Sequence, residues 1–169
     1  LTEDQIAKLW KMIPAQEKVP YLCFDGDNAG RRAAERAAER ILPLLKPDHS
    51  ARIAFLPQGE DPDSLLRGSG RQAFEDVLSS SISLFDFLWM SNSAGRDFSS
   101  PEARAGLSKL MEEKIKMIAD FDVQKFYMQS LREKISETFF ARKNNQNYRG
   151  RQGRSAGGAQ SPALQRSAM

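Results

Sequence analysis

Two short apolar runs, residues 19–24 (VPYLCF) and 51–56 (ARIAFL), each lead into a pair of aspartates. The first run ends at Asp25-Gly26-Asp27. The second passes through Pro57-Gln58-Gly59-Glu60 to Asp61-Pro62-Asp63, each aspartate the same number of positions after its counterpart. Runs of this length, rich in β-formers and bounded by turn residues, predict strands. From Gly30 the string RRAAERAAERILPLL sets Ala33, Ala37, Ile41 and Leu44 at helical spacing, with Arg31, Arg32, Glu35, Arg36, Glu39 and Arg40 elsewhere around the helix. Pro43 and Pro47 end it. Asp61 followed by Pro62 predicts a second helix, with Asp61 as N-cap and Pro62 at its first position. Strand, helix, strand, helix with short links implies parallel strands in a covered α/β sheet.

Residues 81–141 contain no convincing strand. ISLFDFLWM opens one helix. Ser99 and Glu102 are spaced as a capping box at the head of another, which runs through LSKLMEEKIKMIA. A third starts at about Val123, with Val123, Tyr127, Leu131, Ile135 and Phe139 every four residues. Three such helices predict a small helical subdomain packed on the sheet. All 22 acidic residues lie at or before Glu137, whereas Arg142, Lys143, Arg149, Arg151, Arg154 and Arg166 follow it. That Gly-, Gln-, Ser- and Asn-rich end has almost nothing apolar to bury and predicts a disordered basic linker. The expected organisation is therefore an α/β unit over 1–80, helices over 81–141 and a linker over 142–169.

Composition narrows the chemistry. One cysteine and one histidine exclude a disulfide framework, a Cys/His zinc site and a Cys-His nucleophile pair. No apolar run approaches the roughly 20 residues of a spanning helix, and the start is not a secretory signal. Catalysis would have to run on carboxylates, Lys/Arg, hydroxyls or a bound metal. In an open parallel sheet, ligands bind at the carboxyl ends of the strands. Asp25 and Asp27 sit there, and Gly26 lets the backbone turn tightly between them. Mg²⁺ takes hard oxygen ligands, usually one or two carboxylates plus substrate phosphates. Adjacent parallel strands would bring Asp61 and Asp63 to the same rim, with Glu60 close by. So many acids repel one another unless a cation binds among them.

Each aspartate also has a plainer reading. Asp-Gly-Asp is a polar turn, Asp61 a cap, and Asp63 an acid favoured by the helix dipole. Taken together, the two pairs make Asp25 and Asp27 candidate metal ligands, with Asp61 and Asp63 as further candidates. Arg31, in the helix that Asn28-Ala29-Gly30 opens, could meet a phosphate, though solvated arginines are commoner. Cys23 reads as a small buried hydrophobe and His49 as an exposed loop residue. Phe85, Trp89 and Phe126 read as core. No Walker-type glycine loop or nucleophile elbow is present.

At these residues the sequence is similar to a known family. LCFDGDNAGRRAAERAAERILPLL, followed by FLPQGEDPDSLLRGSGRQAFEDVL, resembles the second half of the Toprim domain of bacterial DNA primases of the DnaG type. Toprim also occurs in topoisomerases, recombination mediators and some nucleases. GEDPDSLLR, then AFEDVL and a Leu-Phe-Asp-Phe-Leu helix, resembles primases more closely than those relatives. LTEDQIAKLW matches the helix that precedes the D-G-D strand, and the similarity extends to about Phe140. The helices after residue 80 match those that follow Toprim in the polymerase core. The tail resembles the linker to a helicase-binding domain.

The resemblance implies a DNA-directed RNA polymerase that makes short RNA primers on single-stranded DNA during replication. Its reaction would be nucleotidyl transfer from ribonucleoside triphosphates with two Mg²⁺ ions, Mn²⁺ being a possible substitute. Asp25 would hold the catalytic metal and Asp27 a second ion, with Asp61 and Asp63 on the nucleotide side. The implied setting is the bacterial cytoplasm, at the replisome beside the replicative helicase, with no membrane contact. The chain starts at Leu1, after the point where the family carries a further metal-binding glutamate, and Glu3 and Glu17 are not substitutes for it. The family's zinc-binding module, its basic template-contacting subdomain and its helicase-binding domain are also expected outside this sequence, so the isolated piece is expected to be inactive. Two other readings remain at this stage: part of another Toprim enzyme (a topoisomerase or nuclease), or a non-catalytic module that binds metal or nucleic acid.

Overall fold

The computed structural model describes residues 1–140 of the chain. Leu1–Arg132 form one compact unit. The basic linker expected over 142–169 lies outside the described residues.

The first unit opens with helix α1 (Glu3–Met12), whose capping box pairs Thr2 with Gln5. Ile6 and Trp10 are its buried residues. Strand β1 (Tyr21–Phe24) follows, then α2 (Asn28–Ile41), which passes into a 3₁₀ turn over Leu42–Leu44 where Pro43 stops α-helical bonding. Strand β2 (Arg52–Phe55) returns parallel to β1, with Leu22 opposite Ile53 and Phe24 opposite Phe55. The parallel β-α-β unit expected from the sequence is therefore present.

The sheet has a third strand. β3 (Ile82–Ser83) pairs antiparallel with β2, giving the order β1-β2-β3. The sequence reading placed no strand after residue 80. Two residues make no periodic signal, and the pairing depends on a distant partner. Arg52 donates through Nε to the Ser81 hydroxyl (2.8 Å) and through its guanidinium to the Ser81 carbonyl. Ser81 is a buried polar residue, and these bonds satisfy it.

Helix α3 (Pro62–Ser79) starts as expected, with Asp61 as N-cap and Pro62 at the first position. It is interrupted at Gly70, whose φ of 79° and ψ of 177° are not helical. Helix α4 (Leu84–Ser93) buries Leu84, Phe87, Leu88 and Trp89. In α5 (Pro101–Ile115), Leu107, Met111 and Ile115 form an i, i+4, i+8 stripe that is fully buried. Its N-cap is Ser100, which accepts from the Ala103 N–H; the expected Ser99/Glu102 box does not form. Pro101 occupies the first helical position, so the cap must be the residue immediately before it. Helix α6 (Phe121–Phe139) begins two residues earlier than expected and buries Leu131.

The buried face of α2 is Ala34, Ala37, Ala38 and Ile41, while Ala33 and Leu44 are only half-buried. Small side chains let the helix approach the sheet and its helical neighbours closely. Across that packing, Lys114 of α5 forms an ion pair with Glu39 of α2. Phe126 is 63% exposed and Phe121 75%, so Phe126 is not the core residue its helical position suggested. Phe85 is half-buried, edge-on to Tyr127 at 5.8 Å, and Trp89 is buried.

Candidate functional site

The link from β1 to α2 is three residues, Asp25-Gly26-Asp27, and it passes over the end of β2. A side chain at Gly26 would put its Cβ 2.3 Å from the Leu56 carbonyl oxygen. One at Gly30 would put its Cβ 2.1 Å from the carbonyl oxygen of Asp25. Both contacts are with backbone and cannot be relieved by a rotamer change. The two glycines therefore seat Asp25 and Asp27 directly at the carboxyl end of the sheet, beside the chain leaving β2.

Asp27 is the N-cap of α2. Its Oδ1 accepts from the Gly30 N–H at 2.7 Å, leaving Oδ2 unused by the cap. The D-x-x-G spacing held this signal, and the sequence reading did not use it. Asp61 does the same for α3, accepting from the Ser64 N–H at 2.7 Å through Oδ1. Ser64 returns a bond to the Asp61 N–H (2.9 Å) and donates its hydroxyl proton to Glu60. The Asp25 carboxylate is exposed and makes no hydrogen bond or ion pair with another described residue.

These residues share one cleft. Asp25, Asp27, Glu60 and Asp61 line one cleft of about 430 Å³, completed by Gln58 and Gly59. Gln58 was not a candidate from sequence, where it is one of several residues in a loop. Asp63 lies outside the cleft lining, ion-paired to Arg67 at 2.9 Å along the exposed side of α3. Arg31 lies over the ring of Phe55 at 5.1 Å, so the arginine beside the acidic rim is Arg32, which lines an adjoining recess with Asp27 and Gln58.

The donor set suits a hard divalent cation. Asp25 is unengaged, and Asp27 and Asp61 each keep one oxygen beyond their capping bond. Among the described residues no three His, Cys, Asp or Glu side chains converge into a ready-made cage.

Other candidates settle differently. Cys23 is half-buried, and burial pushes its thiol pKa up, away from nucleophilic use. His49 is not simply exposed. It is half-buried, edge-on to Trp10 at 5.1 Å, and its Nδ1 donates to the Pro47 carbonyl. Burial holds the Tyr127 hydroxyl at a pKa of about 12, partly offset by a hydrogen bond with Ser50. Among the described residues no helix is long and apolar enough to cross a membrane.

Comparison with known proteins agrees with this geometry. The Toprim-like family matches residues 1–66. The DNA primase of Pasteurella multocida is 40% identical over 117 residues, 69% of this chain and 19% of that protein. The Escherichia coli primase catalytic core superposes with a TM-score of 0.68 at 38% identity, covering 79% of this chain and 42% of that one. A DnaG primase catalytic domain bound to ssDNA superposes with a TM-score of 0.67 at 37% identity, covering 78% of this chain and 41% of that one.

A three-stranded sheet with an acidic rim at the carboxyl ends of its parallel strands, set among helices, defines this chain as a Toprim-type α/β protein. Similarity to primases continues past the Toprim-like segment into the following helices. The chain belongs to the bacterial DnaG-type primase family. It spans about a fifth of the length of the curated relatives it matches.

Proposed function

We propose that the chain is the metal-binding part of a DNA primase core, a nucleotidyltransferase that makes short RNA primers on single-stranded DNA from ribonucleoside triphosphates. The observation that carries this reading is the meeting of Asp25 and Asp27, from the end of β1, with Asp61, from the end of β2, in one cleft. The relatives named above are primases, which favours this over the topoisomerase or nuclease alternative.

Asp25 and Asp27 would hold the ions, Mg²⁺ by donor type, with Asp61 contributing from the facing loop. Asp63, drawn towards Arg67, is left an orienting part on the nucleotide side. When bound, such ions acidify an attacking 3′-hydroxyl and neutralise charge at the phosphate being transferred. The protein's own contribution is fixed placement: Asp27 and Asp61 are each tied to a helix start by one oxygen, and Gly26 seats the loop against β2. No protein nucleophile is required. The proposed division is a Toprim part over 1–80, core helices over 81–141 and a basic linker over 142–169. Template strand, nucleotides and replicative helicase are the proposed partners of the whole protein, in the bacterial replisome. The isolated chain is proposed to be inactive in synthesis.

The test is ribonucleotide incorporation on a single-stranded template by the full-length protein. Asp25→Asn is expected to abolish synthesis without altering the fold. Near-normal synthesis by that variant overturns the metal assignment.

A further inference from the structure

At the opposite end of the strands a second cleft, of about 400 Å³, opens between α1 and the segments leading into β1 and β2. Its floor is apolar, made by Ala7, Trp10 and Leu44, and its rim carries Lys11, Lys18, Lys46 and His49. No carboxylate of the described residues lines it, and none of the three lysines has an ion-pair partner among them. Three lysines border one small apolar hollow, and an anion seated among them relieves their mutual repulsion.

The walls are fixed rather than collapsed. The Trp10 indole N–H donates to the Ser50 carbonyl at 2.9 Å, and the His49 ring stands edge-on against the indole. Lys18 is held by its own ammonium, which donates to the Ile13 carbonyl. The two rim segments are joined by backbone bonds from the Lys18 N–H to the Asp48 carbonyl and from the Ser50 N–H to the Lys18 carbonyl.

The volume falls in the range of small-molecule sites, roughly 300–1,000 Å³. A bare phosphate would satisfy the rim and leave the apolar floor wet. An uncharged ring would cover the floor and leave the ammonium groups unpaired. A nucleotide does both, laying its base on the floor and its phosphates among the lysines. We propose that this cleft binds a free nucleotide without a metal ion, at a site separate from the acidic rim.

The probe is ATP in EDTA, titrated into the whole chain and followed at the indole ¹H–¹⁵N resonance of Trp10, assigned with a Trp89→Phe variant. EDTA removes any cation-dependent binding at Asp25 and Asp27. The expected result is a saturable shift at Trp10, identical in Asp25→Asn, with adenosine and tripolyphosphate each binding more weakly than ATP. Lys11→Gln with Lys46→Gln is expected to weaken ATP by about tenfold or more. Both lysines are exposed, and an unmoved Trp89 resonance reports the retained fold. The proposal is overturned by no shift up to about 10 mM ATP, by an unchanged curve in the lysine variant, or by tripolyphosphate matching ATP. A shift that disappears in Asp25→Asn also overturns it, by moving the nucleotide to the acidic rim.

Discussion

Gly30 lies against the backbone of Asp25 so closely that a Cβ at position 30 would fall 2.1 Å from the Asp25 carbonyl oxygen. The first turn of α2 and the Asp25-Gly26-Asp27 loop are thus one packed object. Gly30→Ala is expected to destabilise the fold by about 3 kcal/mol or more, because backbone must move to admit a methyl group. Gly26→Ala, at 2.3 Å from the Leu56 carbonyl, should cost a similar amount. Urea denaturation measures both. A loss under about 1 kcal/mol for either would show that the loop yields.

The capping role of Asp27 can be separated from the ion-binding role proposed for it. Asparagine caps a helix about as well as aspartate, whereas alanine in place of either costs about 1 kcal/mol. Asp27→Asn is therefore expected to keep the unfolding midpoint of the chain while weakening Mn²⁺ binding. Asp27→Ala should lose both. Asp25 makes no capping bond, so Asp25→Asn is expected to affect ion binding alone. Paired thermal melts and Mn²⁺ titration by electron paramagnetic resonance distinguish the three.

Two glycines in α3 should respond in opposite senses. Gly68 is helical with open space around its Cβ position, so Gly68→Ala is expected to stabilise by about 0.5–1 kcal/mol. Gly70 also has open space, but its φ of 79° with ψ of 177° is a conformation essentially restricted to glycine. Gly70→Ala is expected to cost about 1–3 kcal/mol, or to straighten α3 by forcing the residue helical. Equal effects from the two substitutions would contradict the break at Gly70.

Tyr127 gives the fold an alkaline limit. Burial pushes its hydroxyl up to about 12 in the folded chain, against the ordinary tyrosine value of about 10. The unfolded state thus loses its proton first. The stability linked to this group is complete below about pH 10 and falls as the pH rises towards about 12, by on the order of 2 kcal/mol in all. Tyr127→Phe should flatten that part of the stability-against-pH curve. An unchanged slope in the variant would assign the alkaline loss to other groups.

What the sequence made legible was local. Asp61-Pro62 marks the start of α3 because cap and first-turn proline act within one helical turn. The two strands and their parallel pairing follow from short apolar runs separated by a helix. The carboxylate rim follows from that pairing. Distant partners decided the rest. β3 exists because Ile82 and Ser83 find the free edge of β2, with Arg52 reaching across to Ser81. His49 packs on Trp10, far away in the chain. Phe126, read as core because it is an aromatic in the helical zone, is exposed, and Leu131 of the four-residue stripe is the buried position of α6. Asp27 was legible as an acid at a strand end, but its capping bond depends on where α2 begins.

Asp27 and Asp61 each commit one carboxylate oxygen to a helix start, and both residues line the cleft. A carboxylate anchored in this way has little rotational freedom left to lose. The ordering entropy that would oppose ion capture by a free surface aspartate has already been spent in folding. On the proposed reading, few ligands then suffice to hold a cation that stays exchangeable.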